Sequence, residues 1–342
     1  MNIKQLFRLK EWVVSKLFFN LAIALYTTIC VGYFSIISIH VFLLIALYII
    51  SVGSFGYFCN DLFDRDLSSD GSLHHQQIRF TNIFSAVVLT SLIAIAVVPF
   101  TLLLPNPKLY LILLIIHLLL LFSYPIPVLI IKSTVLGLIW DALYSYVLPA
   151  AISISICASY LDMAFQVNTI LVLLVTAWLL SAGLRSILNH QLLDFENDIR
   201  SETVTFTLRH GKKLSGNMML AIFITEWVLF AALTFVLIPS LWIPLCAAII
   251  MFAMVELVFR FSEFRKLTKT ETAIALTNQL YDYYLFTGFF VYAAIYWYVA
   301  AALFPVVFIM IRLNAFSWLY HRIVLWFIYK LKGGFRRVKK WF

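Results

Sequence analysis

Long apolar runs, each closed by a short polar stretch, follow one another along almost the whole chain. They fall at about 17–37, 38–59, 81–104, 109–123, 135–158, 168–189, 217–238, 241–261 and 282–303. A further run, about 304–329, is interrupted by Arg312, Asn314, His321 and Arg322 and is rich in aromatic residues. A helix needs about 20 apolar residues to cross the hydrocarbon core of a bilayer, and most of these runs reach that length. A transmembrane β-barrel would show short alternating segments instead. The pattern therefore predicts an all-α, polytopic membrane protein of nine or ten transmembrane helices. Pro105 and Pro107, and Pro239 with Pro244, mark turns between spans. Residues 1–303 read as one transmembrane domain, and 304–342 as either an extra span or an interfacial helix with a basic tail.

Composition supports the same class: 63% of the 342 residues are hydrophobic and only 12% are charged, too apolar for a soluble protein of this size. The chain carries a formal net charge of +9, much of it in the N-terminal arm (Lys4, Arg8, Lys10, Lys16) and in the tail from Lys330 to Lys340. Basic residues also crowd alternate loops: Arg65 and Arg79, then Lys132, then Arg200, Arg209, Lys212 and Lys213, then Arg260, Arg265, Lys266 and Lys269. The opposite loops hold essentially Lys108. This asymmetry puts the basic loops on the cytoplasmic side, in contact with anionic membrane lipids, and assigns the charge to topology rather than to nucleic acid. Nine spans would leave the basic tail outside, which favours a tenth crossing or a tail that returns to the surface. No small-residue cleavage site follows the first apolar run, so it reads as a retained helix. Cys30, Cys59, Cys157 and Cys246 are dispersed, with no spacing that suggests a disulfide framework or a zinc site.

Against so little charge, two acidic clusters stand out, both at ends of apolar runs. One is Asn60-Asp61-Leu62-Phe63-Asp64-Arg65-Asp66, and the other is Asp194-Phe195-Glu196-Asn197-Asp198. Each opens a polar loop on the cytoplasmic side after an even-numbered span. The correspondence suggests two pseudo-repeated helix bundles around a central cavity. Asp61 and Asp64 are three apart and Asp194 and Asp198 four apart, spacings that place each pair on one helix face. Like charges so placed repel, and a bound cation removes the repulsion. Mg2+ prefers oxygen ligands, often one or two carboxylates completed by substrate phosphates and water. Asn60 adds a carbonyl oxygen. Two such clusters facing one cavity would hold divalent cations and, through them, a diphosphate.

At these residues the sequence resembles the UbiA-type intramembrane prenyltransferases. That family's first motif, N-D-x-x-D-x-x-x-D, is met by Asn60, Asp61 and Asp64, and its second, D-x-x-x-D, by Asp194 and Asp198. The family's tyrosine–proline turn followed by basic residues is echoed by Phe122-Ser123-Tyr124-Pro125-Ile126-Pro127 and then Lys132. Asp141-Ala142-Leu143-Tyr144 through Pro149 is similar to the segment that follows in some members, and Thr203-Val204-Thr205 with Leu208 and Gly211 echoes the stretch after the second motif. The resemblance runs from about residue 15 to 300. It implies a Mg2+-dependent transfer of a prenyl group from a polyprenyl diphosphate to an acceptor that the sequence does not identify, at an active site facing the cytoplasm in the cell inner membrane. It implies Asn60, Asp61, Asp64, Asp194 and Asp198 as metal ligands. Asn60, Tyr124, Lys132, Arg185 and Asp141 become substrate contacts, and Lys132, Arg185 and Asp198 the catalytic set.

Some positions depart from the pattern. Ser68 stands where the first motif ends in Asp, and His74-His75-Gln76-Gln77-Ile78-Arg79 replaces a basic stretch. A catalytically degenerate member, or a cation-coupled transporter or lipid-binding membrane protein, are the alternative readings. At the level of residues, Lys132 reads equally as a loop anchor, Arg185 as a cation reaching for the interface, and Asp141 with Tyr144 as a helix-start cap and packing. His190, one turn before Asp194, reads as a ligand-orienting group or as an ordinary satisfied polar residue.

Overall fold

The computed structural model describes residues 7–30, 36–63, 82–126, 131–160, 169–200, 203–236, 273–274, 276–278, 280–281 and 285–296, with Cys246 and Ile250. Asp64, Ser68, the run at 304–329 and the basic tail lie outside the described residues. The described elements are all helical. In chain order they are α1 (Leu9–Cys30), α2 (Ile36–Phe63), α3 (Asn82–Leu103), α4 (Lys108–Ser123), a 3-10 turn (Ile131–Ser133), α5 (Val135–Ala142), a π-helical turn (Leu143–Val147), α6 (Leu148–Tyr160), α7 (Thr169–Leu193), α8 (Phe195–Arg200), α9 (Phe206–His210), α10 (Lys212–Val236) and α11 (Leu285–Tyr296). Five helical stretches among the described residues are long and apolar enough to cross a membrane: Ser38–Leu62, Ile83–Leu103, Val135–Tyr160, Ile170–Leu193 and Lys212–Thr234. The third is α5, the π turn and α6 read as one rod.

Such helices bury their hydrogen-bonding backbone in themselves, the condition for residing in lipid. Leu102, Leu119, Leu173 and Val228 are exposed, as suits side chains that face acyl chains rather than water. Inward-facing residues form two large apolar clusters. One joins α1, α2, α3, α4 and α6 through Trp12, Ile45, Tyr48, Phe100, Tyr110 and Ile152. The other joins α1, α6, α7, α10 and α11 through Phe19, Trp178, Phe230, Tyr281, Phe286 and Phe290. Helices α1 and α6 serve both, so they form the spine against which the two groups of helices pack.

Small residues set the closest approaches. A Cβ on Gly183 of α7 would stand 2.6 Å from both Cα and Cβ of Ala142, at the end of α5. A Cβ on Gly137 would run into the Ile131 carbonyl, so glycine there lets α5 fold directly onto the 3-10 turn. Thr134 caps α5, its hydroxyl accepting from the Gly137 amide at 3.1 Å. Lys132 and Asp141 are thereby fixed at opposite ends of one short, capped helix.

Replacing Gly183 by Ala forces α7 away from α5 and should destabilise the protein by about 1–3 kcal/mol. The check is thermal unfolding in detergent. An unchanged Tm for Gly183→Ala would mean the two helices do not meet as closely as described.

Candidate active site

Lys132 touches the first acidic motif and acts through space on the second. It sits on the 3-10 turn and donates from Nζ to Asn60 Oδ1 at 3.1 Å, engaging the first motif at the end of α2. It also lies within electrostatic reach of Asp198 in the second motif. Its ammonium stands 5.7 Å from the centroid of the Tyr124 ring, a cation–π distance. Asp61 Oδ1 is 3.6 Å from Arg8 Nη1, so the arm before α1 folds over the first motif.

The second motif spans the junction of α7 and α8, where the backbone keeps a helical path: the Asp194 amide donates to the His190 carbonyl at 2.9 Å and the Asp198 amide to the Asp194 carbonyl at 2.8 Å. Asp194 and Asp198 are therefore one turn apart, as their spacing predicts. His190 Nδ1 lies 3.3 Å from Asp194 Oδ2. The Thr205 hydroxyl donates to Asp198 Oδ2 at 3.0 Å while accepting from the Leu208 amide, so one side chain caps α9 and anchors the carboxylate. Gln191 accepts from the amide and hydroxyl of Thr207 at 3.1 and 3.2 Å, tying the following turn to α7. Burial raises the Asp198 carboxyl above the usual carboxylate range; the Thr205 donor, His190 and Lys132 act in the opposite direction, and the neighbouring Asp194 adds to the rise. Lys212 holds Glu196 below its ordinary value through a 2.7 Å contact, at the exposed edge of the site.

Asn60, Asp61, Asp194 and Asp198 carry oxygen donors, the chemistry that suits Mg2+. The mutual repulsion of Asp194 and Asp198 is a charge excess that a cation would remove. Among the described residues no three carboxylates, histidines or cysteines gather tightly enough to hold an ion by themselves. Asp64, the other acid of the first motif, lies outside the described residues.

Tyr124 and Asp141 belong to the same neighbourhood. The Tyr124 ring meets the edge of Tyr144 at 5.3 Å. The Tyr144 hydroxyl donates to Asp141 Oδ2 and the Ser145 hydroxyl to Oδ1 at 3.3 Å. Arg185 is placed elsewhere. It is fully buried, with Nε 2.5 Å and Nη2 3.3 Å from the two carboxylate oxygens of Glu226 on α10, and Nη1 donates to Asn278 at 2.9 Å. Tyr281 lies beside Glu226 and accepts from the Trp178 indole at 3.0 Å. The guanidinium is thus saturated within the helix packing, and the structure does not bring it to Lys132 or Asp198. Glu226 was legible as the one acid inside the run 217–238, where an isolated carboxylate demands a cation. Thr205 had no comparable signal, because its role depends on the turn that returns it to Asp198.

No family model matches the sequence, and no curated protein does. Solved structures do match the fold. A UbiA homolog from Archaeoglobus fulgidus bound to GPP and Mg2+ superposes with a TM-score of 0.56 at 15% identity, covering 84% of this chain and 98% of that one. The same source's homolog bound to DMAPP and Mg2+ gives 0.54 at 14% identity, over 84% and 98%. A digeranylgeranylglyceryl phosphate synthase gives 0.52 at 16% identity, over 85% and 96%. The chain has the fold of the UbiA-type prenyltransferases.

Two outcomes are expected from this geometry. Removing one partner of the buried ion pair, as in Glu226→Ala, leaves an uncompensated charge and should cost about 3–5 kcal/mol, whereas Arg185→Met combined with Glu226→Leu should recover most of that loss. Thermal unfolding of the single and double variants reads this directly; a double variant as unstable as the single one would contradict a self-contained pair. Asp198→Asn should raise the Tm of the metal-free protein at neutral pH. A carboxyl whose folded pKa is raised loses stability as pH climbs through the ordinary and then the folded value, so the gain should shrink to nothing below the ordinary Asp range, about 3.9. Unfolding curves in EDTA across pH check the sign.

Proposed function

We propose that the protein is a Mg2+-dependent prenyltransferase of the membrane, which moves a prenyl group from a polyprenyl diphosphate to an acceptor whose identity is open. The observation that carries this reading is the position of Lys132, bonded to Asn60 of one acidic motif and in electrostatic reach of Asp198 of the other. A cation between two carboxylate clusters is the arrangement a diphosphate needs. The shared fold with homologs that bind GPP or DMAPP together with Mg2+ supports an isoprenoid diphosphate as donor.

Mg2+ held by Asn60, Asp61, Asp64, Asp194 and Asp198 would supply the charge that binds the diphosphate and eases its departure. Lys132 adds a fixed positive charge at the leaving oxygens. Thr205 keeps Asp198 oriented, and His190 does the same for Asp194. Tyr124 lies beside Lys132 and gives the prenyl end an aromatic surface. The apolar interior between the helices accommodates the tail. This reading leaves Arg185 as a packing residue. It places the site on the cytoplasmic face of a multi-pass protein surrounded by membrane lipids.

The test is pyrophosphate release by the purified protein in detergent, with geranyl, farnesyl and geranylgeranyl diphosphates and either Mg2+ or EDTA. Release should require Mg2+ and fall by about 100-fold or more in Asp64→Ala and Asp198→Ala, with Lys132→Ala similarly impaired. Release from none of the donors would turn the reading toward a protein that binds and does not react.

A further inference from the structure

One carboxylate near the site stands apart from the ion pairs. Asp141 is 9% exposed, and no Lys, Arg or His among the described residues comes within ion-pairing distance. Its oxygens are held by the hydroxyls of Tyr144 and Ser145, one turn further along. Lys16 of α1 is near enough to act on it through space, as is His190, yet the Lys16 ammonium is engaged elsewhere. It donates to the Ser145 carbonyl at 3.1 Å and lies 3.7 Å from the Tyr146 ring centroid. A buried carboxyl given donors but no partner is an expensive feature unless a ligand supplies the missing charge.

The local backbone is built to produce this. Leu143–Val147 is a π-helical turn, which takes carbonyls off the regular ladder. Lys16 occupies the freed Ser145 carbonyl. His117 of α4, bonded to the Tyr48 hydroxyl at 2.7 Å, faces the backbone of Tyr144. Side chains from two other helices thus hold the turn that aims Tyr144 and Ser145 at Asp141.

The order of groups in space then has a meaning. Contacts link the groups in a chain: Lys132 bonds Asn60, Tyr124 lies beside Lys132, Tyr144 meets Tyr124 edge-on, and Asp141 accepts from the Tyr144 hydroxyl. We propose that Asp141 is the fixed negative charge opposite the diphosphate anchor. The site would then select a ligand with an anionic end and a positive centre beside it, the charge distribution an allylic diphosphate acquires on ionising. This deepens the prenyltransferase reading and rests on it. In the step concerned, the C1–O bond breaks, its electron pair leaves with the pyrophosphate, and the positive charge spreads over C1 and C3. The Tyr124–Tyr144 pair lies between the two poles, and Asp141 stabilises the cation without exchanging a proton or forming a bond. Negative charge facing a cation across aromatic rings in a water-poor interior is worth more than in water.

Two isosteric probes test it with the full-length protein in nanodiscs and Mg2+. In 2-(dimethylamino)ethyl diphosphate an ammonium stands where 3-methylbutyl diphosphate has a neutral carbon. The wild type should bind the ammonium probe roughly tenfold more tightly than the neutral one, by competition or calorimetry. Asp141→Asn should bind the neutral probe as the wild type does and lose the preference; Asp141→Ser replaces it if the Asn variant does not fold. Tyr144→Phe, which keeps the ring and the carboxylate, should retain most of the preference. Equal affinities in the wild type, or a preference that survives loss of the carboxylate, would overturn the counter-charge and leave the donor site standing. Failure of both probes to bind in a Mg2+-dependent way would overturn the donor site itself.

Discussion

Charge in a water-poor interior has to be answered, and most of what is distinctive about this protein derives from how each buried charge is met. Within apolar helices a lone ion is far more unfavourable than a few misplaced methyl groups, so ions settle where partners exist. Arg185 and Glu226 answer one another fully, with Asn278 and Tyr281 completing the network. The result is electrically silent and holds α7 to α10 and to the turn at Leu280–Tyr281 deep in the bundle.

Around Lys132 the balance comes out differently. Asp194 and Asp198 repel one another, and Asp198 is kept above its ordinary range by burial. Asp141 has hydroxyl donors and, among the described residues, no cation at contact distance. A like charge beside Asp198 and hydroxyl donors at Asp141 contrast with the matched charges at Arg185 and Glu226. The fold supplies rigid support here: a capped short helix between Lys132 and Asp141, a glycine contact that presses α7 onto it, and a threonine that serves a cap and a carboxylate together.

Much of this was legible in the chain. Apolar run lengths located α1 to α4, the rod containing α5 and α6, α7 and α10, because burial in lipid leaves few alternatives to a helix. The one-turn spacing of Asp194 and Asp198 held, and Lys132 lies against Asn60 of the first motif. Arg185 shows where such reading stops. Its partner is 41 positions away, and the pairing is decided by how α7 and α10 rotate against each other, which no local pattern encodes. Lys16 belongs by composition to the basic N-terminal arm; it turns inward to the Ser145 carbonyl, which the π turn and Pro149 leave without an α-helical donor. The chain does mark that carbonyl, because Pro149, four residues on, has no N–H to give it.

The π turn at Leu143–Val147 also marks a place in this rod where chain length can change by one residue without turning the helix beyond it. Such a turn holds one residue more than an α turn would. Deleting a residue there would let the turn close into α-helix with the helix beyond it nearly in phase, whereas deleting one at the start of α6 would rotate everything beyond it by about 100°. Ile152, Ser153 and Ile156, now directed into the core, would swing toward lipid, while the face bearing Asp141 stayed where it is. Sequence drift through α6 can therefore be broad in composition and yet strict in spacing. Alignments of distant relatives should show α6 free of gaps, with any one-residue gap in this rod falling at the turn.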